Sequence, residues 1–309
     1  MNDQNMIKLT TRIAPSPTGD MHIGTARTAY FNWLAARATG GTFILRIDDT
    51  DLERSDPRFT EVILETMDWL GLNYDKLVYQ SQRFDRYKEV ARQLIHKGQA
   101  EVHDGAIIFF PGYFINNGVD AKTNKPESNW TDEIAGKVVI SLDDQARIYQ
   151  GMVIIKSDGS PTYHFASVVD DIDFGVNYII RGKDHTTNTA KHIAIYNSLE
   201  APVPKFAHIG LINKDGSKLS KRDGAASMLW YKNQGYDPDA VLNFMVRLGW
   251  GPTVDDKTTA ILPREKMVEI FLEGGHMKNS DANMDLIKLD SFDRKYKGRK
   301  KNGQDQSGN

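Results

Sequence analysis

Cysteine is absent from all 309 residues, which excludes disulfides and thiolate zinc sites. A charge excess is absent as well. The 39 Lys and Arg against 41 Asp and Glu leave a formal charge of −2. That balance excludes a globally basic nucleic-acid coat, but not a local basic patch. The eight histidines show no His-Glu-x-x-His spacing, which argues against a histidine metal site. No apolar run approaches the roughly 20 residues of a membrane span. Met1 to Lys8 has no signal-peptide core, and no internal repeat is found. A soluble cytoplasmic protein is expected, of one large or two modest domains, long enough to bury a core without staples.

What is present reads as α/β. Ile7 to Ala14 is a β-branched strand entering a Pro/Ser/Gly turn. From His22 the apolar residues Ile23, Ala26, Tyr30, Trp33 and Leu34 fall at helical spacing until Gly40-Gly41, and Thr42 to Ile47 is again strand-like. This order makes a βαβ unit. Ser55 and Pro57 open a further helix ended by Gly71. Ser81 caps another ended by Gly98. From Glu101 to about Gln150 turn signals replace helical periodicity, predicting a small β-rich insertion. Met152 to Ile155, Phe165 to Val169, Tyr178 to Arg181 and Phe206 to Ile212 read as strands. Thr186 to Leu199, Ser227 to Gln234 and Pro238 to Leu248 read as helices. The basic end, Asp293 to Asn309, reads as a solvated tail, with an RNA-touching arm as the alternative.

Two cassettes carry the chemistry. The first is Arg12-Ile-Ala-Pro-Ser-Pro-Thr-Gly-Asp-Met-His-Ile-Gly-Thr25, where a strand turns into a helix. A helix start offers backbone N–H groups and a positive dipole end to phosphate. Ser16 and Thr18 add hydroxyls, and Gly24 lets a flat ring approach the backbone. His22 can donate to a phosphoryl oxygen as charge builds there. The second cassette, Lys218-Leu-Ser-Lys-Arg-Asp-Gly224, places three cations in five residues on a loop. It can close over pyrophosphate, with Lys221 supplying charge. Each alone is an ordinary turn; their co-occurrence in this order points to a triphosphate site.

These residues resemble a class I aminoacyl-tRNA synthetase. His22 to Thr25 resembles its "HIGH" signature and Lys218 to Arg222 its "KMSKS" loop. Ala14 to Gly19, Phe43 to Asp51, Ser157 to Phe165, Ile180 to His185 and Lys218 to Ala225 resemble the glutamyl-tRNA synthetase family, from about residue 10 to about 250. The resemblance implies a Rossmann-like, doubly wound parallel sheet in two halves, residues 1–100 and 151–235. A shortened acceptor-end insertion over 101–150 would separate them. A helical connecting region over 236–297 and a disordered tail over 298–309 would follow. It also implies activation of L-glutamate with ATP and Mg²⁺, then transfer to the 3′ end of tRNA by a monomer without protein-bound zinc. His22 and Lys221 would stabilise the phosphoryl transition state. Ser16, Thr18, Gly24, Gly182, Asp184, Leu211 and Lys218 would hold ATP. Arg12 and Arg181 would face the substrate carboxylates and Asp48 its ammonium, while Ala14, Ser16, Tyr163 and Ser167 would line the pocket. Alternatives local to the residues are a structural ion pair of Arg181 with Asp170 or Asp171, and a core role for Tyr163.

Three departures from the family pattern stand out. Thr25 replaces the second histidine of the signature. The insertion is short, with Ala106 to Phe110 and Lys137 to Ser141 as its β core. The family's C-terminal anticodon-binding helical domains have no counterpart, and only the start of the connecting region, about Pro263 to Leu289, is expected. Other readings are a glutamyl-queuosine tRNA(Asp) synthetase, a glutamate-adenylating paralogue with a non-tRNA acceptor, and an inactive binding protein. The first usually carries zinc cysteines and a phenylalanine-bearing signature, which this chain lacks.

Overall fold

The computed structural model describes residues 7–110, 118–119, 126–141, 151–214, 217–219, 224–252 and 261–306. They form two compact units. The first comprises residues 1–45, 56–76 and 209–309, and the second residues 46–55 and 77–208. The expected first half, 1–100, is thus divided between them.

The first unit opens on strand β1 (Thr10–Ile13), helix α1 (Ile23–Ala38) and strand β2 (Thr42–Ile47). β1 and β2 pair in parallel, with Thr10 opposite Thr42 and Ile13 opposite Leu45. This is the expected βαβ unit. α1 is buried on nearly all sides, from Ile23 through Ala36. The return to β2 needs glycine at position 41, because a Cβ there would lie 2.1 Å from the Leu9 carbonyl oxygen. Helix α2 (Pro57–Trp69) is capped by Asp56, whose carboxylate accepts from the Arg58 N–H; Ser55 is one residue too early. The Asp75 N–H then donates to the Phe43 carbonyl at 2.8 Å, bringing the chain beside β2 before strand β3 (Lys76–Tyr79).

The second unit carries helix α3 (Phe84–His96) and strands β4 (Ala100–His103), β5 (Ala106–Phe109), β6 (Gly118–Val119), β7 (Pro126–Asp132), β8 (Gly136–Ser141) and β9 (Met152–Ile155). Ser81 is not the cap of α3. Its N–H and hydroxyl both bond to Asp49, and a 3₁₀ turn over Gln80–Arg83 leads into the helix. Helix α4 (Tyr163–Asp173), strand β10 (Tyr178–Gly182), helix α5 (Thr186–Ser198) and strand β11 (Lys205–Ile209) follow. The segment expected as a strand at 165–169 is therefore helical. Its burial is continuous from Phe165 to Asp171, so the apolar run Phe165, Val168 and Val169 carries no visible period. The β segments of residues 101–150 join two sheets. β4, β5 and β9 form one antiparallel sheet. β7 pairs with β8 and β6 and lies beside β11, in the order β10-β11-β7-β6.

The chain then completes the first unit. The expected strand 206–212 breaks at Gly210-Leu211, and strand β12 (Ile212–Lys214) pairs with strand β13 (Ser217–Lys218). Helices α6 (Met228–Asn233) and α7 (Pro238–Arg247), strand β14 (Trp250–Pro252), helix α8 (Arg264–Ile270), strands β15 (Gly275–Met277) and β16 (Ala282–Asn283) and helix α9 (Leu286–Gln306) follow. α9 packs on α7: Asp293 accepts the Asp237 N–H at 2.8 Å, and Asn243 donates to the Tyr296 hydroxyl at 3.1 Å. The expected disordered tail from 298 is helical to Gln306. Arg27, on α1, is buried and donates to the carbonyls of Leu248 and Gly210. Burial lowers its pKa to about 10, with Asp281 opposing. Among the described residues no helix is long and apolar enough to cross a membrane.

Candidate active site

In the first unit the polar turn after β1 leads into α1. The Thr18 N–H donates to the Ser16 carbonyl at 2.9 Å. Ser16 is exposed, Ala14, Thr18, His22 and Gly24 are half-buried, and Arg12 is buried. His22 is the N-cap: its Nδ1 accepts the Gly24 N–H at 3.0 Å. An imidazole nitrogen that accepts carries no proton, so neutral His22 holds its proton on Nε2. The cap thus presents an N–H donor at a helix start whose first turn has no acidic residue. A Cβ at Gly24 would sit 3.2 Å from His22 Nδ1, so a larger residue would press on this ring.

The first cassette is tied to the segment that directly follows the second. His22 and Ser227 form an antiparallel bridge. The Met228 N–H donates to the Met21 carbonyl at 2.9 Å, and the Ser227 hydroxyl to Asp20 at 2.9 Å. The lysine loop leaves from β13 and returns at a 3₁₀ turn, Gly224–Ala226, just ahead of that bridge. Buried Leu219 anchors the departing side through its N–H to the Ile212 carbonyl, at 3.3 Å. Lys221 lies outside the described residues, as do Ser220, Arg222 and Asp223. Lys218 is in β13. Leu211 sits between β11 and β12, its N–H held by Asp281 at 2.7 Å.

The second unit holds the other expected residues. Asp48 is buried and takes a two-pronged contact from Arg46: Nε to Oδ1 at 2.6 Å and Nη2 to Oδ2 at 3.1 Å. Arg46 also donates to the Ser167 hydroxyl at 2.8 Å, the Ser167 carbonyl at 3.2 Å and Asp171 at 2.9 Å. Burial opposes the Arg46 charge, but Asp48, Asp171 and Asp170 outweigh it and hold its pKa well above the ordinary value. Asp170 is further held by Gln80, Arg83 and Tyr87.

Arg181, on β10, is buried. Its Nε donates to His208 Nε2 at 3.1 Å, Nη1 faces His192 Nδ1 at 3.2 Å and Nη2 donates to the Thr189 hydroxyl at 2.7 Å. His192 Nε2 lies 3.1 Å from His164 Nδ1. Burial first, then the charges of Lys191, Arg181 and His185, lower the His164 pKa to about 4. Tyr163 opens α4, half-buried, and its hydroxyl is 3.4 Å from His185 Nδ1. Gly182 ends β10, and exposed Asp184 lies in the following 3₁₀ turn. Sequence reasoning gave no role to Arg46, Asp132, Thr189, His164, His192 or His208. Among the described residues no three His, Asp or Glu side chains are arranged to hold a metal ion.

The sequence matches the model of the catalytic domain of class I tRNA synthetases of the E and Q type over residues 8–105 and 117–296. The chain belongs to this family. Similar proteins include the glutamate–tRNA ligase of Francisella philomiragia, 42% identical over 321 residues. That of Xanthomonas axonopodis is 41% identical over 320 residues. Each alignment covers 93% of this chain and 66% of the relative, so the chain spans just under two thirds of their length. A crystal structure of a glutamate tRNA ligase from Elizabethkingia meningosepticum in complex with its amino acid superposes with a TM-score of 0.79. It is 26% identical, and the match covers 94% of this chain and 70% of that one. The α/β fold is therefore that of a class I synthetase catalytic domain. The structure ties the His22 cassette to Ser227, just after the Lys218–Gly224 cassette.

Proposed function

We propose that the chain activates L-glutamate with ATP and transfers the glutamyl group to the 3′ end of tRNA, as a monomer in the cytoplasm. The bridge from His22 to Ser227, three residues past the lysine cassette, carries this reading. In the first step a glutamate carboxylate oxygen attacks the α-phosphorus of ATP. The bond to the β-phosphate bridging oxygen breaks, and pyrophosphate leaves. In the second, a terminal ribose hydroxyl of tRNA attacks the glutamyl carbonyl and AMP leaves. No protein nucleophile is required, so catalysis is positioning plus charge stabilisation.

The His22 Nε2–H donates to a phosphoryl oxygen as negative charge develops, and Lys221 adds a cation on the leaving side. The acid-free N-terminus of α1, Ser16, Thr18 and Gly24 suit a polyphosphate. Leu211 and Lys218 of the first unit would also serve the nucleotide, and Gly182 and Asp184 of the second carry the same assignment from the family motifs, Asp184 for the ribose hydroxyls. Mg²⁺ comes with ATP and neutralises its phosphates. The Arg12 guanidinium fork and that of Arg181 each suit a carboxylate of glutamate. Asp48 suits the ammonium, and Ala14, Tyr163 and Ser167 are the remaining residues that the family motifs assign to glutamate.

The test is glutamate-dependent ATP–pyrophosphate exchange, with and without total tRNA. Exchange is expected with glutamate, weakly with glutamine, because the arginines would then face a neutral amide. His22→Ala abolishes it and Lys221→Ala strongly reduces it. No exchange with any amino acid, with or without tRNA, sinks the reading. Exchange without tRNA transfers the proposal to a non-tRNA acceptor.

A further inference from the structure

Three side chains line up across neighbouring strands of the second unit. Asp132 ends β7, His208 lies on β11 and Arg181 on β10, and the sheet order places β11 between the other two. β7 is stapled to β11 at this point: Phe206 is the register partner of Asp132, and the Glu133 N–H donates to the Phe206 carbonyl at 2.8 Å. Asp132 Oδ1 accepts the N–H groups of Ile134 and Ala135 at 3.0 and 2.9 Å. Its Oδ2 lies 2.5 Å from His208 Nδ1 and accepts the His208 N–H at 3.2 Å. Both side chains are at most 1% exposed. Arg181 stands over the Phe206 ring at 5.4 Å.

Donor and acceptor chemistry then fixes every proton. A guanidinium can only donate, so His208 Nε2, 3.1 Å from Arg181 Nε, must accept. The His208 proton therefore sits on Nδ1, where Asp132 accepts it. Burial keeps His208 below the ordinary imidazole range, against the pull of Asp132. Burial opposes the Asp132 charge too, but His208, Ala135 and Ile134 hold its pKa below the usual carboxylate range. An ionised aspartate and a neutral histidine of one tautomer result. Apolar residues would fill the same space without the desolvation cost of a buried carboxylate.

We propose that Asp132 and His208 are positioning residues of the amino-acid site: Asp132 fixes the tautomer of His208, and His208 fixes the plane of the Arg181 guanidinium. The proposal rests on the reading that Arg181 binds a glutamate carboxylate. A fork that binds a carboxylate through two N–H groups loses its match when its plane turns. Asp132 comes from the turn-rich stretch 101–150, so that stretch sets the geometry of an amino-acid contact.

The decisive variant is Asp132→Asn. Its amide places donors where only acceptors serve. It drives the His208 proton to Nε2, where it meets the Arg181 Nε–H head on. In ¹⁵N-histidine spectra of the whole chain at neutral pH, the wild type carries the His208 proton on Nδ1. Asp132→Asn moves it to Nε2 and abolishes the slowly exchanging Arg181 Nε–H resonance. In pyrophosphate exchange with tRNA present, Asp132→Asn raises the KM for glutamate roughly ten- to a hundredfold, as expected for one lost hydrogen bond to a charged group. The KM for ATP stays within about twofold. His208→Gln, whose amide can accept from Arg181 and donate to Asp132, restores part of the affinity that His208→Ala loses. An unchanged tautomer, an unchanged KM for glutamate, or an equal rise in both KM values overturns the proposal. Arg181→Ala separates the two levels. Glutamate KM unaffected by Arg181→Ala refutes the role of Arg181 itself. A strong effect there with a silent Asp132→Asn refutes only the positioning. Should the wild type show no exchange, the spectra still decide whether Asp132 sets the proton.

Discussion

Arg46→Met breaks a buried charge network at its centre. Arg46 makes five hydrogen bonds, to both oxygens of Asp48, to Asp171 and to the hydroxyl and carbonyl of Ser167. The side chains of Arg46, Asp48 and Asp171 are 2–3% exposed, so water does not replace the lost partner. Asp170 is the least affected carboxylate, because Gln80, Arg83 and Tyr87 still hold it. Asp48 loses its two-pronged contact and Asp171 a bond of 2.9 Å. Removing one partner of a buried ion pair costs about 3–5 kcal/mol, because the other charge stays behind. At roughly 2–4 °C per kcal/mol for a chain of this size, the melting temperature falls by about 6–20 °C. Differential scanning calorimetry at pH 7 measures it. Arg46→Lys keeps the charge without the fork and is expected to fall between the wild type and Arg46→Met. A loss under about 2 °C for Arg46→Met refutes the argument.

Two further outcomes follow from single contacts. His22→Asn keeps an N-cap acceptor for the Gly24 N–H and discards the Nε2–H donor. It should unfold within about 1 kcal/mol of the wild type yet lose pyrophosphate exchange as His22→Ala does. Exchange at wild-type rates would show that the ring serves only as a cap. His164 makes its own contribution to the pH dependence. Its folded pKa of about 4 lies below the ordinary imidazole value of 6.5, so the unfolded chain takes up the proton first. Its share of stability is intact above about pH 6.5 and is lost as pH falls toward 4, on the order of 3 kcal/mol at most. Urea unfolding at pH 7 and 5 should show a smaller acid loss for His164→Gln than for the wild type; equal losses contradict the shift.

The sequence was legible where local rules decide. The βαβ unit over residues 10–47 could be read because a strand, a polar turn and a helix stopped by Gly40-Gly41 each carry their own signal. It failed where tertiary packing decides. Phe165, Val168 and Val169 look like a strand because α4 is buried on every side, and even Asp170 and Asp171 are inside. Those aspartates were open as partners of Arg181. The structure gives Asp170 to Arg83, Gln80 and Tyr87, and Asp171 to Arg46. The break at Gly210 is also tertiary: its N–H goes to the Lys278 carbonyl and the Leu211 N–H to Asp281. Ser81 resembles a cap, but Asp49 takes its hydroxyl.

The histidines show how the site itself divides between what can and cannot be read. His22 can be singled out in the sequence because its neighbours in sequence are its neighbours in space, down to the Gly24 N–H two residues on. Spacing in the sequence could only say that no His-Glu-x-x-His metal site exists. It is silent on His208, whose carboxylate partner lies 76 residues away, and on His164 and His192, 28 residues apart. Yet one elementary constraint orders all of them. A guanidinium never accepts, so a buried arginine among histidines dictates which nitrogen of each ring bears the proton. Arg181 is such an arginine. Its fixed donors set His208 and His192, His208 requires an acceptor on its far side, and Asp132 supplies it. A residue in a turn-rich stretch with no motif thereby acquires a defined chemical task.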